Sequence, residues 1–459
     1  MIKAWTSGLA WVALAMALAA GTAAGREFDV EVLTDTNALC RSPALSDGGL
    51  AAWTQVAGVN GETVDLRSDL WVCEPGGTPR DLTGDRAEFT GRAEAPSAWG
   101  GAVYFLAWYA PEAEEGPDFD LAAPELTDEM RGMEEEYPSL FGRPAAYKTR
   151  APKSEGDEGG GEEGEATSSG EGGENDAKVL RKDTRQVNAS SLVRWSGGEF
   201  SRLTPKGLEM FAPSAGEGGA AALVSRMWPY GYDLLAWSER AGLVQLTTNY
   251  FYVQGPRVQG GKAVWQEWDG NDYEIWVYDF ATGEKEQITN NTFDDIDPDL
   301  WGGEVVWTAY PVATGEIFLW KDGMIKKISD SSSDNAHPRA WDGRVVWQGL
   351  DEDGKQHEIF YYDGKKTIRL TSNIWDDISP VIGDGLVAWI SYVDMGDAEV
   401  MALDLGDNVP VQLTNDGEED RCLCVGGGRL LWQTDTGKSS YLRMAVPRPV
   451  EGGESGEGE

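Results

Sequence analysis

Asp297-Pro298, Gly302-Gly303-Glu304-Val305-Val306-Trp307, Glu316-Ile317-Phe318-Leu319-Trp320, Asp322-Gly323 and Ile328-Ser329 make one frame. That frame recurs at a spacing of about forty residues, and the recurrence decides the fold. Its next copy runs His337-Pro338, Asp342-Gly343-Arg344-Val345-Val346-Trp347, Glu358-Ile359-Phe360, Asp363-Gly364 and Leu370-Thr371. Another runs from Pro380 through Trp389 and Glu399-Val400 to Leu413-Thr414. Upstream lie Pro256, Trp265, Glu274-Ile275-Trp276 and Ile288-Thr289, and before them Pro213, Leu223 and Leu246-Thr247. The first two copies are Pro43, Trp53, Leu70-Trp71, Leu82-Thr83 and Pro96, Phe105, Leu192-Val193, Leu203-Thr204. A long insertion stretches the second.

The eighth copy is incomplete. Cys422 is read in the place of Pro, followed by Arg429-Leu430-Leu431-Trp432 and Leu442-Arg443-Met444, with no Leu-Thr after them. The missing piece stands at the other end of the chain, as Phe28-Asp29-Val30-Glu31-Val32-Leu33-Thr34. Each unit alternates short β-rich runs with Gly/Asp turns and reads as four strands. The expected fold is all-β: an eight-bladed β-propeller of four-stranded blades, closed by the N-terminal strand, with seven or six blades as the alternative. Radial closure protects strand edges that an open array would expose, and an open array gives no reason for the split unit. The tryptophans ending the second strands (Trp53, Trp265, Trp307, Trp347, Trp389, Trp432) are expected between blades. Each would bury roughly 200 Å² there, on the order of 5 kcal/mol before entropy.

The unit Pro, Gly/Asp-Gly, Val-Val-Trp, then Glu-Ile-(Trp/Phe), then (Ile/Leu)-Thr resembles the TolB-like, WD-like propeller repeat over nearly the whole chain outside the insertion and tail. The resemblance implies the propeller fold and no transferable catalytic residue, because such repeats occur in periplasmic and surface proteins of varied role and in the propellers of some peptidases.

Charge narrows the partners. With 38 basic and 78 acidic residues the net charge is −40, which repels nucleic acid phosphate and anionic lipid. Twenty tryptophans are enough for a large core, and 58 glycines mark many turns. Met1-Ile2-Lys3 and the apolar stretch Leu9 to Ala20, with small residues to Ala24, read as a signal peptide over 1–24. Export to the periplasm or cell surface follows as an expectation, with no membrane span after cleavage. A single propeller domain is expected over 26–450, with an acidic, partly disordered insertion over 109–187 in blade two. The 451–459 tail is expected to be disordered, and the protein to be a monomer.

Tests for chemistry are mostly negative. No Gly-x-Ser-x-Gly occurs, and the two histidines, His337 and His357, stand apart in sequence. Asp351-Glu352-Asp353-Gly354 has the start of a calcium loop without its later ligands. In an exported chain the cysteines favour disulfides. Cys40 and Cys422, both near the ring closure, are the expected pair, with Cys73 and Cys424 left over. Other pairings and free thiols remain open.

The loops that join an outer strand to the next inner strand share one face with those joining second to third strands. The first set carries Asp294, Asp295, Asp297, Asp334, His337, Asp376, Asp377, Glu418, Glu419 and Asp420; the second carries Asp269, Asp272, Asp351, Asp353, Asp394 and Asp397. These residues are expected to ring one mouth of the channel, either capping their own turns or forming an electronegative funnel for a cation, calcium among them, or a basic peptide. The functional expectation is a non-catalytic, protein- or peptide-binding or scaffold module with no cofactor. The alternative is a polysaccharide hydrolase or lyase using carboxylates of that mouth.

Overall fold

The computed structural model describes residues 26–56, 59–60, 63–64, 68–86, 89–109, 190–205, 208–227, 230–248, 252–329, 334–351, 353–393 and 397–448. The expected signal segment, the insertion beyond Tyr109, the 451–459 tail and Asp394 lie outside the described residues. Among the described residues the regular structure is β-strand, in eight four-stranded antiparallel blades. Blade five is representative, running from the axis outward as Asp295–Trp301, Glu304–Ala309, Glu316–Lys321 and Met324–Lys327. Blade eight consists of Glu419–Gly426, Arg429–Asp435 and Ser440–Pro447, completed on the outside by Phe28–Val32. The two chain ends pair antiparallel from Phe28↔Pro447 to Val32↔Arg443.

The recurring Leu-Thr pair has a physical cause. In every blade the hydroxyl at the end of the outer strand accepts a hydrogen bond from a third-strand amide, at 2.8 to 3.0 Å. Thr289 accepts from Ile275, Ser329 from Ile317 and Thr371 from Ile359. Thr34 does the same for Leu442 across the closure, so the split blade carries the same lock as the seven continuous ones.

The recurring Pro marks a bulge. Pairing of each inner strand to its neighbour slips just before the proline place, as between Ile296 and Asp299 or Ala336 and Arg339, and in blade two it slips a second time, between Phe89 and Ala93. The residue before the proline is left-handed: Ser42, Ala95, Ala212, Asp297, His337 and Ser379, with Gly255 in the same place in blade four. A bulge leaves one amide unpaired, which is where a residue without an N–H fits inside a strand. Cys422, also left-handed, is the counterpart of Ser42. The proline place in blade eight therefore belongs to Leu423, one residue later than the sequence reading put it.

The six tryptophans are fully buried between blades. Trp307 packs with Val264 and Ile275 of blade four, and Trp53 with Leu431 and Leu442 of blade eight, which makes the closure as well packed as the other seams. This radial stacking fixes which strand ends point into the channel and which loops share a face.

Candidate functional site

Residues from the inner strands of all eight blades line a central cavity of about 330 Å³, among them Pro43, Pro96, Pro213, Arg257, Asp299, Arg339, Val381 and Cys424. A second cavity of about 310 Å³ continues it toward the hairpin side and is edged by Trp99, Trp301 and Trp341. The channel is not uniformly acidic. Asp297 accepts from His337 Nδ1 at 2.7 Å and from Arg339 at 3.4 Å. Burial works to raise Asp297, but His337 and the Arg339 and Arg257 charges hold it below the usual carboxylate range. For Asp299 burial wins over the same two arginines, and its carboxylate accepts from the Ala340 amide at 2.9 Å. Burial and the Arg339 charge push Arg257 down. His337 is thus an inner-strand residue facing the channel, not a loop residue.

The carboxylates expected around the mouth, either as turn caps or as an electronegative funnel, fall mostly into three kinds. Asp295, Asp377 and Asp420 are buried, at 1, 1 and 2 % exposure, and so do not present their carboxylates at the mouth. Asp295 accepts from the Trp307 indole at 2.6 Å and Asp420 from that of Trp432 at 3.1 Å. Asn335 holds the equivalent place in blade six and accepts from Trp347 at 2.9 Å. Asp295, Asn335 and Asp420 each anchor their own blade's tryptophan, whereas Asp377 accepts from the Asn373 amide group at 2.7 Å. The parity of the strand decides this: Asp294 and Asp295 are adjacent, so they point to opposite sides.

The second kind caps backbone. Asp294 accepts from the Tyr273 amide at 3.1 Å, Asp334 from Gly315 at 2.6 Å and Asp376 from His357 at 2.8 Å. Each ties an outer-to-inner loop to the third strand of the preceding blade, a role that Asp side chains take readily. Asp351 caps its turn through the Lys355 amide at 2.8 Å, and such backbone donors lower its pKa. Glu418 is held by Arg443 at 2.9 Å and by the Tyr441 hydroxyl at 2.5 Å. The third kind is solvated or half-buried on the face: Asp269, Asp353, Asp397 and Glu419. Asp272 belongs to none of these, being buried at 4 % exposure.

Burial pushes Asp295 up to about 7 and Asp420 up to about 6, although indole, amide or hydroxyl donors pull the other way. These two elevated carboxyls sit in separate blades, each behind its own tryptophan, and are not an acid pair with one another. Their effect falls on stability. A carboxyl raised in the folded state favours folding fully below the unfolded value of 3.8 and loses that contribution as pH rises to about 7. Asp295→Asn should therefore stabilise the protein by about 2–4 kcal/mol near pH 8 and change little near pH 4. Denaturant titrations at both pH values check this; an equal effect at both would contradict the buried assignment.

The ring-closing disulfide is not formed. All four cysteines are free thiols: Cys40 and Cys73 buried, Cys422 exposed, Cys424 half-buried. The register explains it. Cys40 pairs with Gln55 at the start of its strand, in the place that Asp420 fills in blade eight, whereas Cys422 falls on the bulge, opposite Ser42 in the repeat. Burial raises the Cys40 thiol to about 11 and the Cys424 thiol to about 12.

Sequence reasoning missed the apolar content of the carboxylate-bearing face. Phe211, Tyr252, Val312, Ile374, Trp375 and Tyr392 are exposed, from 38 to 78 %. All six lie at inner-strand starts, outer-to-inner loops or second-strand ends, which places them on that one face. Lone aromatic residues in loops carry no periodic signal, and only the blade register collects them.

No known protein family matches the chain by sequence, and no curated protein does. Solved structures similar to it include a β-propeller domain, a peptidase and TolB. The β-propeller domain of the trilobed protease from Pyrococcus furiosus is 9 % identical with a TM-score of 0.46, covering 82 % of this chain and 98 % of that one. The acylaminoacyl peptidase of Pyrococcus horikoshii is 11 % identical with a TM-score of 0.47, covering 88 % of this chain and 59 % of that one. TolB from Acinetobacter baumannii is 13 % identical with a TM-score of 0.35, covering 56 % and 76 %. This chain therefore spans about three fifths of the peptidase it resembles.

Proposed function

We propose that the protein is a non-catalytic binding module, acting outside the cytoplasm, whose carboxylate-bearing face docks a basic, aromatic-bearing segment of another protein. The observation that carries this reading is the pairing of exposed apolar side chains with solvated carboxylates on one face. Tyr252, Ile374, Trp375 and Tyr392 stand among Asp269, Asp353, Asp397 and Glu419. Aromatic anchors surrounded by charge are the composition of a recognition surface, where apolar burial supplies affinity and the charged rim steers and selects. The signal-like segment 1–24 supports an exported location, and no helix among the described residues is long and apolar enough to cross a membrane.

The test is a peptide array carrying Lys/Arg-rich segments with and without aromatics, beside acidic controls. Retention is expected for basic, aromatic peptides, and affinity should fall with salt. Replacing Trp375 and Tyr392 with Ser should weaken the best peptide at least about tenfold with the melting midpoint unchanged. Retention of acidic peptides, or binding indifferent to the double substitution, would overturn the reading.

A further inference from the structure

The loop between the second and third strands of blade four reads Asp269-Gly270-Asn271-Asp272-Tyr273-Glu274. It turns sharply: Gly270 has φ 112°, and Asp269 Oδ1 accepts from the amides of Asn271 at 2.8 Å and Asp272 at 3.2 Å. The turn throws three carboxylates together, one oxygen from each lying within 4.8 Å of the others. Two of the three are shut away from water, Asp272 at 4 % exposure and Glu274 at 0 %. Neither oxygen of Asp272 receives a hydrogen bond of normal geometry, and Glu274 Oε2 receives none either; Asn271 and Thr289 stand near enough to favour the two charges, but burial outweighs them and raises both acids. Glu274 Oε1 alone is satisfied, by the Asn291 amide at 2.6 Å.

The other blades provide an internal control. The same third-strand glutamate is neutralised in blade five by Lys327, 2.6 Å from Glu316, and in blade six by Arg369, 2.7 Å from Glu358. Both cations stand two residues before the hydroxyl that locks the outer strand, at Ser329 and Thr371. In blade four that position is Gln287, before Thr289, and carries no charge. The strand's lysine, Lys285, faces elsewhere, bonding the Leu246 carbonyl at 3.1 Å and lying 3.6 Å from Glu267. Blade four thus lacks the cation of blades five and six, and carries a second buried carboxylate, Asp272, two residues before the glutamate, where blades five and six have Thr314 and Gln356. Blade seven repeats part of the pattern with Asp397, Glu399 and Gln412, but its described carboxylates do not converge in a group of three. A buried carboxylate without counter-charge is costly, and two of them beside a third negative charge are more so.

We infer that Asp269, Asp272 and Glu274 form a divalent-cation site, and that its ion is calcium. The donor set is all oxygen, which selects hard cations. Calcium binds oxygens at 2.3–2.6 Å, so ligands on opposite sides of one ion stand up to about 5 Å apart, the spread seen here. Asp269, exposed at the surface, leaves the ion open to water for its remaining ligands. The ion would fix the turn beside Tyr252, whose carbonyl accepts from the Trp268 amide at 2.9 Å, and so stiffen one edge of the aromatic face. The site does not depend on what that face binds.

Titration calorimetry of the chelator-treated protein with calcium chloride, against sodium chloride of matched ionic strength, tests it. One saturable site per chain is expected, with a rise in melting midpoint that sodium does not reproduce. Terbium supplies a second readout, because Trp268 and Tyr273, with ring centroids 5.3 Å apart, lie at the site and can sensitise its emission. Asp272→Asn and Glu274→Gln should abolish both signals, and Asp272→Asn should raise the melting midpoint of the calcium-free protein by removing an uncompensated charge. Asp269→Asn, a surface change that does not threaten the core, should weaken binding, while Asp353→Asn in blade six should leave it intact. Absence of saturable binding, or binding that survives Asp272→Asn, overturns the site.

Discussion

Deleting residues 26–36 should unfold the ring or lower its stability by about 5 kcal/mol or more, a large part of the 5–15 kcal/mol a domain has. The segment supplies the whole outer strand of blade eight, paired from Phe28 to Val32. It also supplies the Leu33 amide bond to the Leu442 carbonyl at 2.8 Å and the Thr34 lock on Leu442 at 3.0 Å. Arg448 pairs back to Asp29 at 2.6 Å, and Arg26 pairs with Asp404 of blade seven. Each lost ladder bond is worth roughly 1 kcal/mol, and Leu33 leaves the cluster around Trp53. The control is a permutant. Because Phe28–Val32 runs antiparallel to Ser440–Pro447, moving the segment behind Arg448 through a short turn makes an ordinary hairpin and should restore stability. An unchanged denaturation midpoint in the deletion would refute closure.

Trp307→Ala should cost about 3–5 kcal/mol as a large-to-small change in a core that cannot collapse. The indole is 1 % exposed, stacks on Phe318 at 6.0 Å and fills the seam between blades four and five. Its loss also removes the donor to Asp295, so the penalty should be larger near pH 8 than near pH 4, where Asp295 is neutral. Trp375, 38 % exposed, is the contrast: Trp375→Ala should change stability by less than about 0.5 kcal/mol. A loss under about 1 kcal/mol at Trp307 would contradict the inter-blade packing.

Eight blades were legible in the sequence because one frame recurs with its fourth strand displaced to the N-terminus. The meaning of individual residues was less so. Asp294 and Asp295 look alike in sequence, yet one caps the Tyr273 amide and the other anchors Trp307. One signal was present: Asp295, Asn335 and Asp420 each precede their tryptophan by twelve residues, and an Asn in that series argues for an indole acceptor over a charge. Cys422 was placed one residue early although the count was there to read: the proline stands nine residues before the tryptophan in blades four to seven, and nine before Trp432 is Leu423. The apolar rim and the Asp269-Asp272-Glu274 cluster depend on burial and neighbouring blades, which are tertiary facts.

The docking face is tested most directly by amide hydrogen exchange with the best-retained basic, aromatic peptide, free and bound. Protection is expected at 252–253, 269–273, 374–377 and 391–393, where Tyr252, Trp375 and Tyr392 stand, with no change at the opposite hairpins of Gly302-Gly303, Asp342-Gly343 and Asp384-Gly385. Protection confined to those hairpins, or to the outer strands, would contradict the account.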